Sequence, residues 1–128
     1  MNDNFIKNGS AQAHVNERKV IKYVHKLLKA GILEAAGPDR VKFSDKFLDL
    51  LEGTLKNISR DDRVMEVIVG GDRTLEEIKD NMMVVTIAST LMLIYGSVEE
   101  SELMEMTFVI YQLLKMSGEK RVKEMICA

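Results

Sequence analysis

A stretch of eighteen residues without a formal charge, residues 81–98, constrains the fold more than any other part of the chain. A helix that crosses a membrane needs about 20 predominantly apolar residues. The strongly apolar part, residues 82–95, is shorter and contains Thr86, Ser89 and Thr90. A strand of this length would also be unusual, because strands typically have about five to six residues. We therefore expect a buried helix and no membrane partner.

Local signals mark both ends of this helix. Thr74 can accept a hydrogen bond from the backbone amide of Glu77, whose carboxylate can reach back to the amide of Thr74. Gly96 is a typical stop signal. Apolar residues lie on more than one face, as in a central helix that is covered on several sides. Core or interface positions predicted for this helix and the next are Leu75, Met82, Val85, Met92, Phe108 and Leu113.

Apolar residues at helical spacing predict three further long helices, so the predicted fold is all-α. We expect a four-helix up-and-down bundle with short extra helices. The long helices are predicted at 16–30, 44–58, 74–96 and 98–117, and the short ones near 63–69 and 119–126. Ser97 is the predicted cap of the last long helix. Residues 14–128 form one predicted domain behind a flexible N-terminal arm, residues 1–13.

The sequence does not decide the secondary structure of two segments. Residues 32–43 admit a small β-hairpin, because two short apolar pieces flank the turn sequence Gly37-Pro38-Asp39. Residues 63–69 fit either a short helix or a strand, since a short apolar run does not decide this by periodicity. A helix is the preferred interpretation there because no clear partner strand exists elsewhere in the sequence.

The sequence LLKAGIL at residues 27–33, followed by a turn and VKFS at residues 41–44, resembles the recognition helix and wing of winged-helix DNA-binding domains. The resemblance covers about 25 residues, and the polar segment before it has no room for the helices that should precede a recognition helix. It implies DNA binding, and phosphate contacts would come from basic side chains. The candidates are Arg18, Lys19, Lys22, Lys26, Lys29, Arg40 and Lys42. The competing interpretation is a solvated, amphipathic first helix.

A glycine-containing loop before the central helix is a candidate anion site. Backbone amides at a helix N-terminus can bind an anion, and a nearby arginine adds charge. Asp72 would repel an anion, and the loop lacks the spacing that wraps phosphates in P-loop proteins. The candidate ligand-binding residues are Gly70, Gly71, Arg73 and Thr74, and an ordinary connecting loop is the alternative.

Residues that usually carry catalysis are few. The two histidines, His14 and His25, do not belong to Glu-x-x-His motifs, so ferritin-like di-iron chemistry is not expected. We assign no catalytic residue and no metal site, and the cofactor is unknown. The single cysteine, Cys127, excludes an intramolecular disulfide framework and fits a reducing compartment, so we expect a cytoplasmic protein.

The apolar residues of the two longest predicted helices exceed what one bundle seam requires, which predicts a homo-oligomer. The expected function is an interaction, scaffold or small-ligand-binding module without its own catalysis. One alternative is a nucleotide-binding enzyme with its site between subunits, by analogy at the level of fold with the corrinoid adenosyltransferases. The glycine-rich N-terminal nucleotide motif of that family is not found here. The other alternative is the winged-helix-like DNA-binding regulator. With 18 basic and 20 acidic residues, the net charge of -2 favours none of these partners.

Overall fold

A computed structural model describes residues 17–127, and this part of the chain contains six helices and one two-stranded antiparallel sheet. The helical fold class is therefore confirmed, together with the hairpin. The predicted arm, residues 1–13, lies outside the described residues. The elements in chain order are α1 (Glu17–Lys29), β1 (Leu33–Gly37), β2 (Arg40–Phe43), α2 (Asp45–Ser59), α3 (Asp62–Val69), α4 (Leu75–Tyr95), α5 (Glu100–Met116) and α6 (Lys120–Cys127).

Side-chain caps set the starts of the helices on either side of α3. The hydroxyl of Ser44 accepts a hydrogen bond from the amide of Phe47 at 3.2 Å. That of Thr74 accepts one from the amide of Glu77 at 3.1 Å. Each bond satisfies a backbone donor that has no partner within the helix. The ambiguous segment near 63–69 is helical, and Asp61 caps it.

The predicted cap at Ser97 is wrong. Helix α5 begins at Glu100, after Glu99, which makes no side-chain capping bond. Gly96 has a φ of 75°, and its amide donates to the carbonyl of Met92 at 2.8 Å. The amide of Ser97 then donates to the carbonyl of Tyr95 at 2.9 Å. Ser97 therefore belongs to the turn that ends α4, and the connection to α5 is longer than the sequence suggested.

Helix α4 is central, and it packs against α2, α3 and α5. Its buried side contains Met83, Ile87 and Leu91. Thr86 and Thr90 are also fully buried, and each hydroxyl donates to the carbonyl four residues earlier, at 2.6 Å and 2.7 Å. These bonds satisfy hydroxyls that would otherwise be costly to bury. Core residues from the neighbouring helices include Leu48, Leu51, Met106, Ile110, Leu113 and Leu114.

The hairpin joins α1 tightly to α2. Leu33 pairs with Phe43 at the end of the hairpin away from its turn. The hydroxyl of Ser44 donates to the carbonyl of Gly31 at 2.6 Å, and the rings of Phe43 and Phe47 stack with centroids 5.6 Å apart. Helix α1 also packs on α5, although these helices are distant in sequence. The four-helix up-and-down arrangement is not confirmed.

Arg121 fastens α6 to α2. Its Nε donates to Oε1 of Glu52 at 2.6 Å, and a second guanidinium nitrogen donates to Oδ1 of Asp49. The hydrogen bond from Arg121 is the main cause that lowers the pKa of Glu52 below its ordinary value. Val122, the next residue, is buried in the core. Helix α6 is therefore held at its start by two ionic contacts of Arg121 and by the apolar contact of Val122.

Candidate functional site

In the loop that was predicted to bind an anion, the arginine side chain bonds to the backbone of the preceding helix. Nη1 of Arg73 donates to the carbonyls of Val67 and Ile68, at 2.6 Å and 2.8 Å. These carbonyls belong to the last turn of α3, where carbonyl groups have no hydrogen-bond donor within the helix. Gly70 comes so close to this turn that an added Cβ would lie 2.8 Å from the carbonyl oxygen of Glu66. Anion binding by Gly70, Gly71 and Thr74 stays a prediction, and Arg73 would have to leave its carbonyls to take part.

The predicted basic surface divides into two groups. Three of its lysines form ion pairs: Lys19 with Glu105, Lys26 with Glu102, and Lys42 with Glu34. The other members are exposed, and those on α1 follow one another at helical spacing. This second group consists of Arg18, Lys22 and Lys29 on α1, and Arg40 in the hairpin, although the paired residues Lys19 and Lys42 are exposed as well. A nucleic-acid surface would therefore be smaller than the sequence suggested.

An apolar stripe remains uncovered along α4, on the side away from its buried residues. We call it the α4 face. It comprises Leu75, Ile78, Met82, Val85, Ser89, Met92 and Leu93. Leu75 is 68% exposed, Leu93 67% and Met92 41%, and the residues between them are half-buried. Among the described helices, α4 alone is long and apolar enough to cross a membrane, and only 28% of its apolar window is buried inside the chain.

The six positions predicted as core or interface fall into two groups, one in the core and one on the α4 face. Leu113 is buried in the core, and Phe108 packs half-buried against it. Met82 and Val85 are half-buried, whereas Leu75 and Met92 are exposed. The four residues on α4 all belong to the α4 face. The sequence thus located the surplus apolar surface but did not distinguish the core from the exposed face.

A concave feature lies beside the α4 face, where α2, α4 and α6 meet. This cavity of about 380 Å³ is within the size range of small-molecule sites. We call it the methionine groove. Its apolar residues are Leu55, Ile78, Met82, Met83, Met125 and Ile126. The polar residues that line it are Lys56, Ser59 and Lys79. Ile78 and Met82 form the edge that the groove shares with the α4 face.

A more polar cavity of about 370 Å³ adjoins the groove across Lys79, Met83 and Ile126. Here the hydroxyl of Tyr111 donates to Oδ1 of Asp80, which ties α5 to α4. Burial, and then this hydrogen bond, raise the pKa of Tyr111 well above its ordinary value. The phenol therefore stays protonated at neutral pH and serves as a donor rather than a base.

The hydroxyl of Tyr95, at the C-terminal end of α4, is buried without a hydrogen-bond partner among the described residues. The ammonium group of Lys26 lies 5.3 Å from the centre of its ring. Burial raises the pKa of Tyr95 above its ordinary value. A buried hydroxyl without a partner costs about 1 to 3 kcal/mol, so this position carries a local energetic penalty.

No group of three or more His, Cys, Asp and Glu side chains that could hold a metal ion occurs within residues 17–127. Comparison with known proteins found no matching family model, no matching curated protein and no matching solved structure. The function is therefore inferred from the α4 face and the methionine groove. Sequence reasoning missed Lys56, Lys79 and Met125 as groove residues. The nine methionines were the available signal, because methionine is frequent at adaptable binding surfaces.

Proposed function

We propose that this chain is a self-associating helical protein in which a second copy covers the α4 face, and that it acts as an interaction or scaffold module. The observation that supports this is the exposure of an apolar stripe on the central helix. Leu75 and Leu93, near opposite ends of α4, leave about two thirds of their surface uncovered, at 68% and 67%. Contiguous apolar surface of this kind usually marks an interface.

The shape of the α4 face suits another helix. With a rise of about 1.5 Å per residue, α4 extends over about 30 Å. Met83, Ile87 and Leu91 on its other side already serve the core. Because side chains on one helix form ridges that fit the grooves of another, the same α4 helix of a second copy can pack along this face.

The helix dipoles favour an antiparallel, two-fold arrangement. The N-terminus of each α4 carries partial positive charge and its C-terminus partial negative charge, so antiparallel neighbours attract and parallel neighbours repel. The acidic side chains of the first turns do not decide the orientation, because Glu76 and Asp80 line the cavity beside Tyr111 rather than the α4 face.

Side-chain sizes favour the same arrangement. A two-fold axis near Val85 makes the contact isologous, so that each residue pair occurs twice. Met82 of one copy then lies opposite Ser89 of the other, and Ile78 lies opposite Met92. The large side chain of Met82 thus meets a small one, as efficient packing requires.

The experiment compares two single substitutions by light scattering after size exclusion and by native mass spectrometry. Met92→Glu introduces a charge on the α4 face, and Met104→Glu introduces the same charge on α5. Both side chains are exposed, at 41% and 50%, so neither variant disturbs the core. We expect the wild type and Met104→Glu to be oligomeric. The dissociation constant of the Met92→Glu oligomer should be at least about tenfold higher, since an unpaired charge is costly in an apolar contact.

A wild type that is monomeric at tens of micromolar would contradict the proposal. Partitioning of that monomer into neutral lipid vesicles would show that a membrane covers α4 instead. The mass spectrum also tests the nucleotide-binding alternative, because a retained nucleotide adds a defined mass to each oligomer.

DNA binding is a second candidate, and the exposed residues Arg18, Lys22 and Lys29 support it. They lie on one face of α1, directly before the hairpin. A helix followed by a hairpin also matches the order of a recognition helix and its wing. This candidate is tested separately, through the salt dependence of binding.

A further inference from the structure

The methionine groove combines an apolar interior with positive charge at its edge. Three methionines, two isoleucines and one leucine form its apolar surface. Methionine side chains are flexible and polarisable, so they can adapt to a ligand of variable shape. The groove is made by one copy of the chain, from the last turns of α2, the first half of α4 and the end of α6.

The charged residues that line the groove indicate the charge of its ligand. The charged residues of the described part that line the groove are Lys56 and Lys79, and no described carboxylate does. Glu76 and Asp80 line the adjoining cavity instead, where Asp80 accepts the hydrogen bond from Tyr111. Of the carboxylates near Lys56, Glu52 is bonded to Arg121. The head of a ligand beside Lys56 and Lys79 would therefore lie near positive charge and apart from the described carboxylates.

We propose that the methionine groove binds a straight-chain amphiphile with an anionic head, namely an alkyl carboxylate. The alkyl chain lies along Met82, Met83 and Met125, and the carboxylate lies between Lys56 and Lys79. This site goes beyond self-association, and it does not depend on it. Ile78 and Met82 belong to both surfaces, whereas Met92 and Leu93 of the α4 face lie about three helical turns beyond Met82 and do not line the groove.

The test titrates the full-length protein with octanoate, decanoate and dodecanoate below their micelle concentrations, using calorimetry. Affinity should rise about threefold to fourfold for each added methylene group until the groove is filled. Dodecanol, which lacks the charge, should bind more weakly than dodecanoate. Failure of dodecanoate to bind, or an affinity independent of chain length, overturns the proposal.

Substitutions locate the site. The double variant Lys56→Met, Lys79→Met should weaken dodecanoate binding about tenfold and leave dodecanol binding almost unchanged, because two charge-assisted contacts are removed. Lys123→Met is the matched control, since Lys123 is an exposed lysine of α6 that does not line the groove. An equal loss in this control would mean that general surface charge attracts the ligand, and it would overturn the site.

The same titration with Met92→Glu separates this proposal from self-association. The molecular mass of each sample is measured alongside the titration. Unchanged dodecanoate binding by a monomeric Met92→Glu protein supports a groove within one chain. Loss of binding together with dissociation would place the site between copies and overturn the proposal as stated. Binding by a wild type that proves monomeric would refute self-association and leave the groove intact.

Discussion

The hydroxyl of Tyr23 donates a 2.6 Å hydrogen bond to Oε2 of Glu105, so α1 is joined to α5 by residues 82 positions apart. Nζ of Lys19 donates to the other carboxylate oxygen at 3.2 Å. The bond from Tyr23 is the main cause that lowers the pKa of Glu105. Burial, followed by this bond, raises the pKa of Tyr23. The contact is therefore strongest where the carboxyl is ionised and the phenol is neutral.

Tyr23→Phe should lower the free energy of unfolding by about 1.5 to 3 kcal/mol at pH 7, as expected for a hydrogen bond to a charged group. Because the folded pKa of Glu105 lies below its ordinary value of 4.5, its stabilising contribution is present above that value. The contribution is lost as the pH falls through the lower, folded pKa. Urea unfolding should thus show that the difference in free energy of unfolding between Tyr23→Phe and wild type becomes smaller as the pH falls from 7 to 3. A constant difference would contradict this account.

Tyr95→Phe should stabilise the protein by about 1 kcal/mol, because it removes a buried hydroxyl that has no partner among the described residues. Tyr111→Phe is the matched comparison and should destabilise it, because that hydroxyl donates to Asp80. Thermal and urea unfolding of both variants provide the measurement. Destabilisation by Tyr95→Phe would show that its hydroxyl has a partner in solution.

Arg121→Met should loosen α6, because the contacts to Glu52 and Asp49 are lost together. Hydrogen exchange of the α6 amides should become faster, while exchange in the buried half of α4 stays unchanged. Lys123→Met removes a positive charge from the same helix and should leave α6 exchange unaltered. Equal effects of the two substitutions would assign the change to charge rather than to the contacts.

Disulfide crosslinking distinguishes the two orientations of paired α4 helices. In a Cys127→Ser background, Val85→Cys should crosslink to itself, because Val85 lies near the proposed two-fold axis. Leu75→Cys and Leu93→Cys should crosslink to each other when mixed, but neither should crosslink to itself. The two positions are about 27 Å apart along one helix. Self-crosslinking of Leu93→Cys would instead indicate parallel pairing.

The basic side of α1 predicts salt-dependent binding of duplex DNA if the second candidate function holds. Replacing Arg18, Lys22 and Lys29 by glutamine should reduce the slope of log affinity against log salt by up to about three, since each phosphate contact releases about one counterion. Replacing Lys120 and Lys123 on α6 is the control. Absence of binding at low salt would remove DNA binding from consideration.

Much of the secondary structure was predictable because its signals are local. Ser44 and Thr74 cap helices through bonds that span three residues, and Gly96 adopts the left-handed φ expected after a helix. The turn around Pro38 likewise occurs within the predicted hairpin. These interactions depend on the neighbouring sequence alone, so sequence reasoning located most helix ends to within about two residues.

The site was less predictable because side chains had competing roles. Arg73 could hold an anion or satisfy the carbonyls of α3, and it does the latter in this structure. Lysines on α1 could face DNA or pair with acids on α5, and only the packing of the two helices shows that Lys19 and Lys26 pair. The methionine groove needs residues from three helices, so no short motif indicated it.

The hydrogen bonds of Tyr23 to Glu105 and of Arg121 to Glu52 also bear on the order of folding. They join residues 82 and 69 positions apart, whereas α2, α3, α4 and α5 follow one another through short connections. Closing long loops costs more entropy, and contacts between distant residues slow folding. We expect the α2–α5 segment to form first and the two outer helices to dock last. A chain pulled from its two ends should release α1 and α6 while the helices around α4 still resist the force.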